Sequence, residues 1–152
     1  MDVAIEQIGT EQKEQVLIRC HRVTEEVREI AAFVRSRQGS LTGVKDSRQY
    51  EISLPEVFYI ESVDGRTFLY TRDQVYETPF RIYELEGRLG TRRFLRISKS
   101  MLLNLMKVRS IRPALNGRFT AVLQSGEEVI ISRSYVKGLK AALRGETSNH
   151  EL

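Results

Sequence analysis

The stretch Glu56–Arg72, "EVFYIESVDGRTFLYTR", constrains the fold more than any other part of this 152-residue chain. Two runs rich in aromatic and β-branched residues flank Asp64-Gly65. Such runs favour strands, and Asp-Gly tolerates the positive φ that the tightest hairpin turns require. An isolated hairpin is marginal in water, so other strands must cover it. The chain supplies them. "SLTGVKD" and "RQYEISL" precede the hairpin, and "RRFLRIS" follows it. "RSIRPAL", "RFTAVL" and "EEVIIS" are joined through Asn116-Gly117 and Ser125-Gly126, as in a meander. "SMLLNLMKV" reads equally as a strand or a short helical turn. The expected class is α+β, mostly antiparallel sheets with short helices.

Three segments carry helical signals. Thr24 is an N-cap before Glu25, Glu26 and Glu29, and Val27, Ile30, Ala31 and Val34 recur at helical spacing, giving a helix Thr24–Arg37 that Gly39 ends. Thr78-Pro79 opens a helix Pro79–Leu89, stopped by Gly90. Ser132 or Ser134 caps a last helix through Leu143. Before the first helix, "DVAIEQI" and "EQVLIRC" read as strands. The expected organisation is a β-β-α-β extension over residues 1–53, a main domain over 54–145 and a fraying polar tail over 146–152.

Composition narrows the function classes. Hydrophobic residues make up 41% and charged residues 29%, which suits a soluble globular chain. No apolar run approaches the ~20 residues of a membrane span. The N-terminus shows no basic region followed by an apolar one, so a cytoplasmic protein is expected. The single Cys20 excludes an intrachain disulfide or a multi-cysteine metal site. Net charge is only +4, but it is unevenly spread. Residues 1–65 hold 8 Lys+Arg against 12 Asp+Glu, whereas residues 66–145 hold 16 against 6. This asymmetry points to a polyanion facing the second half.

Catalytic patterns fail on inspection. Cys20 and His21 are adjacent, so on a strand they face opposite sides, and Cys20 is expected to be a buried small residue. Ser98-Lys99-Ser100 invites a serine–lysine pair, but the productive spacing is S-x-x-K on a helix, and Met101 and Leu103 stand at those positions. A phosphate loop needs glycines before Lys-Ser, and here "FLRIS" precedes it. No catalysis, cofactor or metal is expected.

The basic residues form three sets. Arg93, Arg96 and Lys99 recur every three residues, which reads equally as a solvated stripe. Arg133, Lys137 and Lys140 surround the last helix, with Ser132 and Ser134 beside Arg133. Hydroxyls and a cation at a helix start suit a phosphate or a base edge. Arg66 and Arg72 bracket "TFLYT". For Arg96 two roles stand open, a grip on phosphate or a structural pairing with an acid.

Residues from about Leu54 to Leu143 resemble the LytTR-type DNA-binding domain of bacterial transcription regulators. The resemblance is carried by "LPEVFYIESVDGRTFLYT", "FRIYELEGRL", "FLRISKSMLLNLMKVRSI" and "NGRFTAVLQSGEEVIISRSYVKGLKAAL". The most specific part is Leu95, Arg96, Lys99, Ser100, Leu102, Leu103 and Asn104, which follow the family signature, with Ser98 where many members have His. The resemblance implies packed antiparallel sheets whose loops enter successive major grooves of bent double-stranded DNA, usually at paired direct repeats. It implies DNA contacts at Arg66 and Thr67, at Lys99, and at Arg133, Ser134 and Tyr135; Arg96 and Lys137 join them from the basic sets. The first 53 residues are too short for a receiver domain with a phosphoacceptor Asp, so a stand-alone regulator is expected. A homodimer would let two domains read repeated sites. The alternative is a protein-interaction module or antagonist of the same fold that does not bind DNA.

Overall fold

The computed structural model of the chain describes residues 1–89 and 94–144, with backbone alone for 35–38. It divides into two compact units, Met1–Arg37 and Gln38 onward.

In the first unit, helix α1 (Glu25–Gln38) forms where the apolar spacing and the acidic first turn place it. Thr24 Oγ1 accepts from the Val27 amide at 3.3 Å, so Thr24 is the cap. Residues 1–24, all described, form no strand. Val3 and Ile5 are 90% and 96% exposed. The two expected strands are therefore corrected: alternation names a face, but a strand also needs a partner row, and neither run has one here. Cys20 is exposed, not buried as expected.

The second unit contains all the strands among the described residues. A hairpin, β1 (Ser40–Lys45) and β2 (Arg48–Ser53), leads into β3 (Tyr59–Val63), β4 (Arg66–Tyr70) and β5 (Val75–Thr78). Helix α2 (Ile82–Leu89) and strands β6 (Phe94–Ser98) and β7 (Met101–Asn104) follow. These strands form one antiparallel sheet in the order β2-β1-β5-β4-β3-β7-β6. Strands β8 (Val108–Pro113), β9 (Phe119–Leu123) and β10 (Glu128–Ile131) form the meander, a second sheet, before helix α3 (Val136–Leu143). The hairpin at 40–53, assigned above to the extension, pairs with β5 through Val44 and Glu77, so it belongs to this sheet. Asp64 and Gly65 both have positive φ, as do Asn116 and Gly117, the turn chemistry their sequences require.

The central strands of the large sheet are buried on both faces. Ile60, Leu69 and Leu102 pack on one side with Leu85 and Leu89 of α2. Tyr59 and Leu103 pack on the other with Ala121, Leu123 and Ile131 of the second sheet and Leu139 of α3. Neighbouring residues on a strand point to opposite faces, so the pair Leu102-Leu103 feeds two cores. That resolves "SMLLNLMKV": β7 is a strand, apolar at consecutive positions, followed by a single 3-10 turn at Leu105–Lys107. Asn104 is buried and closes it, its side-chain amide donating to Val57 O at 2.8 Å and its carbonyl accepting from the Met106 amide at 2.9 Å.

Two expected caps are also corrected. Thr78 is consumed by β5, where it pairs with Thr67, and its buried hydroxyl has no partner. Helix α2 begins later, with the Arg81 amide donating to Glu84 Oε1 at 2.9 Å. Ser132 precedes a 3-10 turn, Arg133–Tyr135, and makes no side-chain cap bond. Gly90, Arg93 and the tail 146–152 lie outside the described residues.

Candidate nucleic-acid interface

Antiparallel pairing decides which turns become neighbours. Strand β3 runs toward Asp64-Gly65, and β7 pairs with it starting from the opposite end of its own sequence, so Met101 stands beside Glu61. The Ser62 amide donates to Ser100 O at 2.8 Å, tying the β3–β4 turn to the β6–β7 turn. On the other side of β6, the Ser132 amide donates to Ile97 O at 2.9 Å. Three segments remote in sequence, at residues 63–66, 98–101 and 132–135, thus meet at one end of the large sheet.

Their cations differ in how firmly they are held. Arg66 grips Glu77 with two bonds, Nε to Oε2 at 3.0 Å and Nη2 to Oε1 at 2.6 Å, and its guanidinium lies 5.4 Å from the Phe68 ring centre. The bonds favour both charged forms: the Arg66 pKa is raised and the Glu77 carboxyl is held below its ordinary value. Arg96 has only 18% of its side chain exposed and forms an ion pair with Glu86 at 2.7 Å. The pairing with an acid, one of its two open roles, is present in the free chain. Lys99 is exposed, and no described acid pairs with its ammonium. Ser98 and Ser100 engage each other locally, the Ser100 amide donating to Ser98 Oγ at 3.2 Å.

The third segment presents Arg133, Ser134 and Lys137 to solvent, while Tyr135 is half-buried against the second core. The stem of Arg133 lies over Gly117, where a Cβ would fall 2.9 Å from Arg133 Cδ. Glycine is therefore needed there for the approach as well as for its φ of +75°. This contact draws in the β8–β9 turn and Arg118, which sequence reasoning missed; the signal available was a basic residue flanking the Asn116-Gly117 turn.

Two residues of the Arg66–Arg72 stretch are placed differently from these exposed cations. Thr67 is 4% exposed because it takes an inward position on β4, so its side chain faces the protein. Arg72 stands at the far end of β4, over the Phe58 ring at 5.4 Å and donating to Gln124 O at 3.5 Å.

Residues 47–144 match the family model of the LytTr DNA-binding domain. The chain belongs to that family. The Escherichia coli K12 transcriptional regulatory protein YpdB is 34% identical over 108 residues, covering 70% of this chain and 44% of that protein. The Bacillus cereus sensory transduction protein LytT is 29% identical over 93 residues, covering 61% of this chain and 38% of that protein. The chain thus spans less than half the length of these curated relatives. Among solved structures, the LytTr DNA-binding domain of a Bacillus cereus response regulator superposes with a TM-score of 0.66 at 22% identity, over 69% of this chain and 96% of the other. The α+β, mostly antiparallel architecture is that of a LytTr domain.

The LytTr match begins at Ser47, inside the β1–β2 turn, so it takes in β2 and every later strand. All three converging segments lie within it. Among the described residues no cluster of His, Cys, Asp and Glu could hold a metal, and no helix is long and apolar enough to cross a membrane.

Proposed function

We propose that the protein is a sequence-specific, double-stranded-DNA-binding transcription regulator that reads major grooves through loops and performs no catalysis. The observation that carries the reading is the convergence of the three segments, with Lys99, Arg133 and Lys137 exposed and without acidic partners among the described residues. An ammonium or guanidinium held ready on a loop can contact guanine O6/N7 or a phosphate without first breaking an ion pair. Lys99 and Arg133 are the base-reading residues, Ser134 and Tyr135 line the same segment, and Lys137 contacts phosphate. Arg66 contributes only after leaving Glu77. The protein works in the cytoplasm as a homodimer, and the segment before residue 38 supplies the dimer contact. Exposed Val3, Ile5, Val16 and Leu17 in that segment support this assignment.

The test is selection of duplexes from a random library, followed by titration of the selected duplex and of random duplex. A preferred sequence is expected, with affinity falling steeply with salt, by about 0.9 logarithmic units per tenfold salt for each phosphate neutralised. Lys99→Ala and Arg133→Ala should each cost ~1–3 kcal/mol on the selected duplex and much less on random DNA. No enrichment, with a flat salt dependence, would leave the protein-interaction alternative standing. Sedimentation of the full chain beside one lacking residues 1–37 tests the dimer: the shorter chain should run as a monomer.

A further inference from the structure

Arg96 stands on β6 three residues before Lys99, and its guanidinium reaches three acceptors. Nε donates to Ser98 O at 2.8 Å, Nη1 to Glu86 Oε1 at 2.7 Å, and Nη2 to Lys99 O. The pairing of β6 with β7 shifts register between Arg96 and Ser98. A bulge there takes backbone groups out of the ladder, and carbonyls left without ladder partners must find other donors. The Ile97 carbonyl at that shift accepts from the Ser132 amide, and the planar fork of Arg96 serves the next two carbonyls, Ser98 and Lys99, together, which a single ammonium at the end of a lysine does not do. Its remaining arm is anchored on Glu86 of α2, beside Leu85, whose side chain is fully buried. The guanidinium is thus held between a packed helix and the backbone of the turn.

We propose that Arg96, braced by Glu86, is a positioning residue for Lys99: it fixes the β6–β7 turn so that the Lys99 ammonium is presented at one place, and it does not itself touch DNA. The inference rests on the reading of Lys99 as a base contact. It assigns to the arginine of the signature a role opposite to that of the lysine three residues later. A base contact tolerates errors of only ~0.5 Å, so a turn free to wander would spread Lys99 over unproductive positions. The Ser62–Ser100 bond holds the far side of the same turn and Ser98 Oγ holds the Ser100 amide, while Arg96 takes the Ser98 and Lys99 carbonyls.

The experiment uses the full chain with Arg96→Lys, Glu86→Gln, Lys99→Ala and the Arg96→Lys/Lys99→Ala double variant, on a duplex selected by the wild-type protein and on random duplex. Arg96→Lys should weaken the selected duplex about tenfold and leave random duplex and the salt slope unchanged. With Lys99 already removed, the same substitution should cost less than about twofold, because its effect passes through Lys99. Glu86→Gln should follow the same pattern with a smaller loss. An equal cost with and without Lys99 overturns the proposal, since a general loss of folding or an independent contact is additive. A salt slope smaller by about one phosphate also overturns it, because Arg96 would then touch the backbone. A second readout needs no DNA: amide exchange at Lys99 and Ser100 in the free protein should accelerate in Arg96→Lys, and unchanged exchange sinks the proposal. Failure to select any duplex would defeat the DNA reading alone, while amide exchange would still decide whether Arg96 holds the turn.

Discussion

Leu17 and Leu103 are the same residue in runs of similar apolar character, yet one is 71% exposed and the other fully buried. Leu17 belongs to a segment whose pattern suggests a strand and which forms none. Leu103 lies on β7, paired on both sides by β3 and β6 and covered by the second sheet. The pattern is not what separates them. Around Leu103 each strand has a turn that returns the chain beside it, and every apolar side chain meets another. Around Leu17 no neighbouring row exists in the single chain, so backbone and side chains stay in water.

The comparison breaks most sharply under matched substitution. Leu103→Ala removes fully buried methyl groups from a closed core and should destabilise the second unit by about 2–5 kcal/mol. Leu17→Ala should change stability by less than about 0.5 kcal/mol. Urea unfolding followed by circular dichroism compares the two, since the chain has no Trp to report by fluorescence. Equal losses would mean that the first segment packs somewhere in solution, and a homodimer would then be the first place to look.

A smaller effect is expected from Asn104, which shows how the ordered unit handles polar groups. It is buried between residues 47 and 2 positions away in sequence, joining Val57 O to the Met106 amide. Asn104→Ala would leave both backbone groups without their partner and should cost about 1–3 kcal/mol in the same urea experiment. Asn104→Asp keeps the acceptor but buries a carboxylate facing the Val57 carbonyl, so at neutral pH it should cost at least as much as Asn104→Ala. A neutral Asn104→Ala would mean that water replaces both bonds, and the residue would lose its claim to hold β7 against the chain before β3.

What could be read from the sequence follows the same division. Local signals worked where local chemistry decides: Asp64-Gly65 and Asn116-Gly117 form the turns their positive φ requires, and Thr24 caps α1. The meander was visible because tight turns limit which strands can be adjacent. Partnerships across the sheet were not. Thr78 has the composition of a cap, but sheet pairing with Thr67 claimed it. Thr67 lies in a loop-proximal stretch, but strand alternation turned it inward. Arg96 and Lys99 appear in one basic stripe, and only the fold brings Glu86 to one and no described acid to the other. The strand pattern near the N-terminus failed for the converse reason, because sequence records an apolar face but not whether anything covers it.

The smallest effect lies at Arg66 and Glu77, and it tests the ordered unit at its surface. The bonds from Arg66 are the main cause of the lowered Glu77 pKa, with burial opposing them. A carboxyl lowered in the folded state stabilises that state fully above its unfolded pKa, and the contribution disappears as pH falls through the folded value. Acid should therefore release Arg66 before it unfolds the sheets. An NMR titration should place the Glu77 midpoint below the usual carboxylate range, and Arg66→Gln should move it back up. The pair is exposed, so salt and solvent screening keep its effect on unfolding small. Its effect on DNA runs the other way. Glu77→Gln frees a guanidinium at the end of the sheet where Lys99 and Arg133 stand, so affinity for random duplex should rise and its salt slope should steepen by about one phosphate. A midpoint at the ordinary value, or a salt slope unchanged by Glu77→Gln, would mean that Arg66 is already free in solution, and the contrast drawn between held and unheld cations would then rest on Arg96 alone.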